Sequence, residues 1–255
     1  MESNQTSSTS FCNVATFVRN RYFYGKLLDV SQFEMEQTYF NAKRRLLNRL
    51  ITGYGVVCGL DVRVAPDGKS VVVLAGVAID KWGRETIVPV TSMPQPVPNL
   101  PGGDNPPSEC DPASWVQLTL CYHECQSDPV PALGGDCDQN ALCSPGSIRE
   151  SYELRMLPGK APDVNTDCGI QDLISNNRIN YTALAQYVTG ACGACPDDPC
   201  IPLANIHLPA VGATIAANDI NIAVRPIVYT NDLLLDLLVC LNKTPSADYA
   251  RGGKG

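Results

Sequence analysis

Apolar side chains recur at helical spacing in one early segment of the chain. They fall three, four or seven positions apart, as on one face of a helix: Phe33, Tyr39, Phe40, Leu46, Leu47 and Leu50. Ser31 and Glu34 have the Ser-x-x-Glu spacing of a capping box, so we expect the helix to begin after Asp29. Gly53 follows the last apolar position and is expected to end the helix.

The pattern then changes to that of β-strands. Apolar and polar residues alternate over 60–64, and a Pro-Asp-Gly turn leads to a return strand over 70–75. A second hairpin is predicted over 77–90, and its tight turn would place Trp82 and Arg84 at an exposed tip, although ordinary hairpin packing explains the tryptophan equally well. These short paired strands indicate an antiparallel sheet.

Later segments alternate between strands and long loops. Strands are predicted over 115–122, 148–157 and 201–208, and a closing helix over 231–241. The intervening segments are two Cys- or Pro-rich loops, 93–114 and 126–147, and an insert of two short helical pieces, 164–190. The whole predicts an α+β fold, in which an N-terminal docking segment and amphipathic helix precede an antiparallel β sandwich or barrel. Its divisions are a disordered tail 1–10, the docking part 11–59, the β-rich body 60–241 and a flexible tail 242–255.

Composition narrows the function classes. Of 255 residues, 44% are hydrophobic, which is enough for a folded core and excludes wholesale disorder. The net charge is −7, so we expect no broad basic face for nucleic acid. No apolar run approaches the roughly 20 residues of a membrane-spanning helix. The first ten residues lack the pattern of a secretory signal, so we expect synthesis in the reducing cytoplasm.

Twelve cysteines add candidate chemistry, because seven of them fall in two clusters, 121–143 and 192–200. In one interpretation four thiolates hold a structural zinc ion, for which Cys-x-x-Cys is a typical half-site: Cys192, Cys195, Cys200 and Cys143. In the other, cysteines close in sequence form disulfides that staple the loops: Cys121–Cys125 and Cys137–Cys143. The sequence leaves both open.

Enzymatic and binding alternatives also stay open. The phosphate-binding Gly-x-x-x-x-Gly-Lys, the metalloprotease His-Glu-x-x-His and the hydrolase Gly-x-Ser-x-Gly motifs are missing. A zinc- or thiol-dependent enzyme would instead use the 192–200 cluster with His123 or His207. A carbohydrate- or surface-binding module on the β body is the third class. The basic run 43–49 fits a solvated helix face better than a site for an acidic partner.

Three motifs carry a family resemblance. Residues 19–40 read Arg-Asn-Arg-Tyr-Phe-Tyr-Gly-Lys-Leu-Leu-Asp-Val-Ser-Gln-Phe-Glu-Met-Glu-Gln-Thr-Tyr-Phe, and 46–60 contain Leu-Leu-Asn-Arg and Gly-Val-Val-Cys-Gly-Leu. Residues 76–87 read Gly-Val-Ala-Ile-Asp-Lys-Trp-Gly-Arg-Glu-Thr-Ile. Over about half of the chain, the sequence resembles proteins encoded with contractile, phage-tail-like injection systems, and more loosely the baseplate and fibre-attachment proteins of phages and type VI secretion systems.

This resemblance implies a non-enzymatic structural protein that binds other particle subunits as a homo- or hetero-oligomer. No catalytic residue, certain cofactor or nucleic-acid partner comes with it, and the particle would be released by lysis or anchored to an envelope. An aromatic helix with a charged flank also suits docking between subunits. The predicted docking residues are Tyr22, Phe23, Tyr24, Leu28, Phe33, Phe40, Arg44 and Arg45.

Overall fold

The computed structural model describes residues 16–100, 111–131, 143–165, 173–175 and 178–242. It confirms the α+β fold, with an N-terminal helix, four antiparallel sheets and few other helices, and the described strands do not close into a barrel. The helices are α1 Val30–Leu47, α2 Tyr181–Val188 and α3 Asn231–Asn242. The strands are β1 Gly55–Gly59, β2 Val62–Val64, β3 Ser70–Val73, β4 Gly76–Ile79, β5 Glu85–Val88, β6 Gln95–Pro96, β7 Trp115–Pro131, β8 Cys143–Pro158, β9 Ile174–Ser175, β10 Arg178–Ile179, β11 Ile201–His207 and β12 Ile220–Asn221.

Helix α1 begins where the sequence predicts, but with another capping box. The Asp29 side chain accepts a hydrogen bond from the Ser31 amide at 2.8 Å, and the Gln32 side chain accepts one from the Asp29 amide at 2.9 Å. The predicted Ser31–Glu34 box is therefore wrong, because Asp29 itself takes the capping position and Ser31 lies inside the helix. A π-helical turn, Asn48–Thr52, extends the helix to Gly53, whose φ of 82° suits glycine.

The hydrophobic core lies in the sheets. The sheets have the strand orders β1-β4-β5, β2-β3-β6 and β12-β11-β7-β8, and β9 pairs with β10. The largest fully buried apolar side chains come from strands or strand ends, with Val224 in a turn as the exception: Leu60, Val71, Val73, Val88, Leu118, Leu120, Ile201, Leu203, Ile206 and Val224. The β4–β5 hairpin, β11 and α3 lie where the sequence predicts them. None of the helices in the described ranges is long and apolar enough to cross a membrane.

The β7–β8 hairpin is longer than its sequence indicates. Strands β7 and β8 pair from Val116 opposite Pro158 to Pro131 opposite Cys143. The predicted loop 126–147 is therefore strand at both ends. The outer part of the hairpin is mostly exposed, so it needs no alternation of apolar and polar residues, and that alternation is the signal on which the prediction depends.

Two other predicted segments differ in the structure. Among the described residues of the insert 164–190 there is one helix, α2, while β9 pairs with β10, so the prediction of helical pieces is wrong at Ile174–Ser175 and Arg178–Ile179. Within the loop 93–114, β6 pairs with β3. Residues 101–110 and the predicted tail 1–10 lie outside the described residues, and so does the predicted tail 242–255 except for Asn242, which ends α3.

Candidate docking surface

The N-terminal arm (residues 16–29) makes a tight turn before it enters α1. The Lys26 amide donates to the Phe23 carbonyl at 3.1 Å, and Gly25 between them has a φ of 84° that an L side chain rarely adopts. Around this turn the Tyr24 and Leu27 side chains are 106% and 92% exposed. The turn therefore presents aromatic and aliphatic side chains to solvent in a defined backbone conformation.

Two contacts hold the arm against α1. The Tyr22 hydroxyl donates a hydrogen bond to the Glu36 carboxylate, and this bond raises the pKa of the Tyr22 phenol above its usual value. The Phe17 and Tyr39 rings meet edge to face with centroids 6.4 Å apart, a favourable geometry for aromatic pairs. The arm therefore packs on α1 through one hydrogen bond and one ring contact.

Most of the predicted docking residues lie on this element, and they are exposed. Helix α1 is described throughout, and Ala42 is its one buried residue. Six of the eight predicted docking side chains are between 46% and 106% exposed: Tyr22, Phe23, Tyr24, Leu28, Phe33 and Phe40. Several large exposed apolar side chains on neighbouring elements of a sheet-cored protein are typical of an interaction site.

The other two predicted docking residues contact this chain's own body. The Arg44 guanidinium lies 3.2 Å from the Glu85 carboxylate, and that of Arg45 lies 4.0 Å from Glu124. The Arg45 side chain is only 15% exposed. These two arginines fasten the second half of α1 to β5 and β7. At their positions the basic run is therefore neither a purely solvated face nor an open site for an acidic partner.

The β4–β5 turn forms a compact charged cluster beneath this end of the helix. The fully buried Asp80 carboxylate accepts bonds from the Trp82 and Arg84 amides at 2.9 and 2.8 Å and pairs with the Arg84 guanidinium at 2.7 Å. That guanidinium lies 4.7 Å from the Trp82 ring and 4.5 Å from the Tyr122 ring, and burial raises the pKa of the Tyr122 phenol. Trp82 and Arg84 are thus packed side chains, and the prediction of an exposed tip is wrong.

Close backbone approaches join this turn to α1 and to β1. A Cβ on Gly83, whose φ is 83°, would lie 2.1 Å from the Arg45 carbonyl oxygen. The Asn48 side-chain amide also donates to the Gly83 carbonyl at 3.0 Å. A Cβ on Gly76 would lie 2.4 Å from the Cys58 carbonyl oxygen. The motif over 76–87 therefore forms the surface on which α1 packs, which we call its seat. Gly76 and Gly83 are required there because a Cβ would clash with neighbouring backbone atoms.

A loop from the cysteine-rich region is fastened to the same seat. The Arg49 guanidinium donates to the Gly193 carbonyl at 2.6 Å, and the Trp82 indole donates to the Pro196 carbonyl at 2.8 Å. Neither contact could be expected from local sequence patterns, since each joins residues more than a hundred positions apart. The end of α1, the β4–β5 turn and this loop consequently form one packed junction.

One disulfide joins two neighbouring strands of the four-stranded sheet. Cys121 on β7 is bonded to Cys200 immediately before β11, and both are buried. Leu120 lies opposite Ile201 in the ladder, so the register brings the two cysteines together. Cys125 is an exposed free thiol, and the predicted Cys121–Cys125 pair is therefore wrong. The nearest cysteine in space belongs to the partner strand and not to the same strand.

The structure does not bring together the predicted zinc ligands as four thiolates. Cys195 and Cys200 are both disulfide-bonded, and a disulfide sulfur is not the thiolate that a zinc site needs. Cys192 is an exposed thiol, and the side chain of Cys143 lies outside the described residues, as does Cys137. Among the residues that the structure describes, no group of three or more His, Cys, Asp or Glu side chains could hold a metal ion.

The two histidines lie in separate places. The His207 ring packs edge to face on Trp115, at a centroid distance of 5.0 Å, at the beginning of β7. His123 is exposed on β7 and lies opposite Ser151 of β8. It is eight residues from Trp115 along β7, which is about 26 Å at the usual rise of a strand. The histidines therefore do not converge on one site.

Comparison with known proteins finds few relatives. No protein family and no curated protein matches the sequence. A solved structure, "Crystal structure of TssK", is similar with a TM-score of 0.37 and 10% sequence identity. The similarity covers 79% of this chain and 40% of that chain, so this chain spans well under half the length of TssK.

Proposed function

We propose that this chain is a non-enzymatic structural assembly protein of a contractile, phage-tail-like injection particle. It docks onto a neighbouring subunit through the N-terminal arm and the first half of α1, at the baseplate or another attachment point. The observation that carries the proposal is the division of α1 into two halves. The second half is fastened to the sheet body by Arg44 and Arg45, while the arm and the first half keep five of the six exposed docking side chains in water, and the sixth, Phe40, follows shortly after the middle of the helix.

The magnitudes are those of a protein interface. Full burial of one large apolar side chain contributes about 1.5–3 kcal/mol, so the six docking side chains offer on the order of 10 kcal/mol before costs. Association itself costs about 4–15 kcal/mol. A net affinity therefore requires most of the six to be buried together, and it requires the ordering cost to be low. The tight turn at Gly25 and the fixed base of α1 lower that cost, because the side chains are positioned before binding.

The family resemblance points to the same part of the molecule. The motifs over 19–40 and 46–60 include the arm, α1 and the entry into β1, and the motif over 76–87 forms the seat below α1. These motifs therefore coincide with the docking element and its mount. This correspondence supports a docking role shared with the proteins that the motifs resemble. The motifs supply no catalytic residue that would suggest another role.

The test is recovery with the particle from cells in which the protein is native. Wild-type protein should be recovered with sheath, tube or baseplate components in pull-downs and in electron micrographs of particles. Phe23→Asp combined with Tyr24→Asp should abolish this recovery, because carboxylates replace two exposed docking rings. Met93→Asp combined with Val211→Asp is the matched control, since these side chains are 80% and 74% exposed elsewhere. Wild-type protein that always migrates free of particle components, or a docking variant recovered like the control, refutes the proposal.

A further inference from the structure

Helix α3 is a second apolar element without cover. Its sequence is Asn-Asp-Leu-Leu-Leu-Asp-Leu-Leu-Val-Cys-Leu-Asn, and Asp232 and Asp236 are its two charged residues. A helix that is apolar on nearly all sides is normally buried. Here Leu233 is half-buried, and the following side chains are between 41% and 61% exposed: Leu234, Leu235, Leu237, Leu238 and Val239.

The arm and α3 carry opposite charges. The described arm contains three basic side chains, Arg19, Arg21 and Lys26, before the capping Asp29. Asp232 and Asp236 lie one turn apart on the same side of α3, which has no basic residue. Both elements are exposed in one chain, since Tyr24 and Leu27 of the arm are almost fully in solvent. The two surfaces therefore complement each other but do not cover each other within one molecule.

We propose that the neighbouring subunit onto which the arm docks is a second copy of this chain, and that its α3 receives the arm. The aromatic and leucine side chains of the arm turn pack on the leucines of α3, while Arg19 and Arg21 pair with Asp232 and Asp236. This inference rests on the proposed docking function of the arm and names its partner. Each copy gives its arm to one neighbour and offers its α3 to an arm, as in a closed ring or a reciprocal dimer.

Length and charge favour this pairing over the pairing of two α3 helices. The twelve residues of α3 extend about 18 Å, and the seven residues 22–28 reach at most about 23 Å when extended and less with their turn. The arm turn thus fits along the helix. Two α3 helices would bring four carboxylates and no basic side chain to one interface, so like charges would oppose their approach at low salt.

The proposal is tested on the full chain by analytical ultracentrifugation at low salt. Wild-type protein should self-associate. Arg19→Glu with Arg21→Glu in the arm, or Asp232→Lys with Asp236→Lys in α3, should each weaken self-association roughly tenfold, since exposed pairs each contribute modestly. An equimolar mixture of the two variants should associate again, because the reversed arm then meets the reversed helix. Arg178→Glu and Asp163→Lys, which change exposed charges elsewhere, are the controls and should associate like wild type.

Every other outcome overturns the proposal. A wild-type chain that stays monomeric shows that the arm has a different partner, and the docking function then stands or falls separately on particle recovery of the Phe23→Asp/Tyr24→Asp variant. Self-association that resists arm reversal but is lost in Leu238→Asp shows that α3 binds α3. Reversed variants that fail to associate when mixed, while circular dichroism shows that both are folded, exclude the arm–α3 contact.

Discussion

Replacing Gly83 by alanine should separate α1 from its seat. Two costs add at this position. The φ of 83° costs an L-residue about 1–2 kcal/mol, and the new Cβ would lie 2.1 Å from the Arg45 carbonyl oxygen and 2.9 Å from its carbon. Because those are backbone atoms of a helix, no side chain can rotate away, and relief requires the helix to move. Overpacking of this kind costs about 1–3 kcal/mol, so we expect a total loss of about 2–5 kcal/mol.

Gly212 provides the matched control. Its φ is 84°, but a Cβ there would meet no atom within 4 Å, so Gly212→Ala pays the backbone strain alone. The gain from lower entropy of the unfolded chain is the same in both variants and cancels in the comparison. Urea unfolding should therefore show a loss larger by about 1–3 kcal/mol for Gly83→Ala, and hydrogen exchange should show faster exchange in the second half of α1 for that variant alone. Equal losses for the two variants would refute the close packing of α1 on this turn.

Three further predictions concern the junction and the sheet. Arg84→Ala leaves the buried Asp80 carboxylate without its cation and should cost about 3–5 kcal/mol in urea unfolding. Arg63→Ala removes one partner of an exposed pair and should cost less than about 1 kcal/mol. Similar costs for the two variants would contradict the burial of the Arg84–Asp80 pair. Replacing both Cys121 and Cys200 by alanine should cost about 2–4 kcal/mol, and reduction should destabilise wild type more than the variant, which no longer has this bond; equal stability of the two oxidised proteins would exclude the disulfide. Burial raises the pKa of Tyr122, so its stabilising contribution is complete below about pH 10 and is lost as the pH rises through the folded value. The midpoint of alkaline unfolding should therefore lie at higher pH in Tyr122→Phe than in wild type. An unchanged midpoint would count against the burial of the phenol.

The fold could be predicted where one face of an element meets the core. Strand β2 alternates, since Val62 is buried and Arg63 is exposed, and its hairpin with β3 follows from that period together with the Pro-Asp-Gly turn. The outer part of β7–β8 has solvent on both faces, so its pairing leaves no such period in the sequence. The capping box shows a second limit, since Asp29 and Ser31 are both good capping residues and the local sequence does not rank them.

The docking surface could be predicted only in part, for a related reason. Aromatic residues beside a helix start, such as Phe23 and Tyr24, indicate an interface because exposed rings are costly without a partner. Arg44 and Arg45 have the same local appearance as a docking flank, but their carboxylate partners lie on strands far along the chain. Likewise, the Cys121–Cys200 bond follows from the register of β11 on β7. Contacts between distant residues depend on the topology, which local patterns do not contain.

The distribution of exposed apolar side chains separates the folded body from the surfaces that we propose to bind other subunits. The sheets bury the side chains of their shared core fully, as Val73, Leu120 and Leu203 show. The arm, α1 and α3 instead carry large apolar side chains that are exposed, such as Tyr24, Phe40 and Leu235. Helix α1, on which the arm packs, is held at its second half by close backbone contact with the β4–β5 turn. Large apolar side chains that are exposed on an element held in this way are typical of an interaction site.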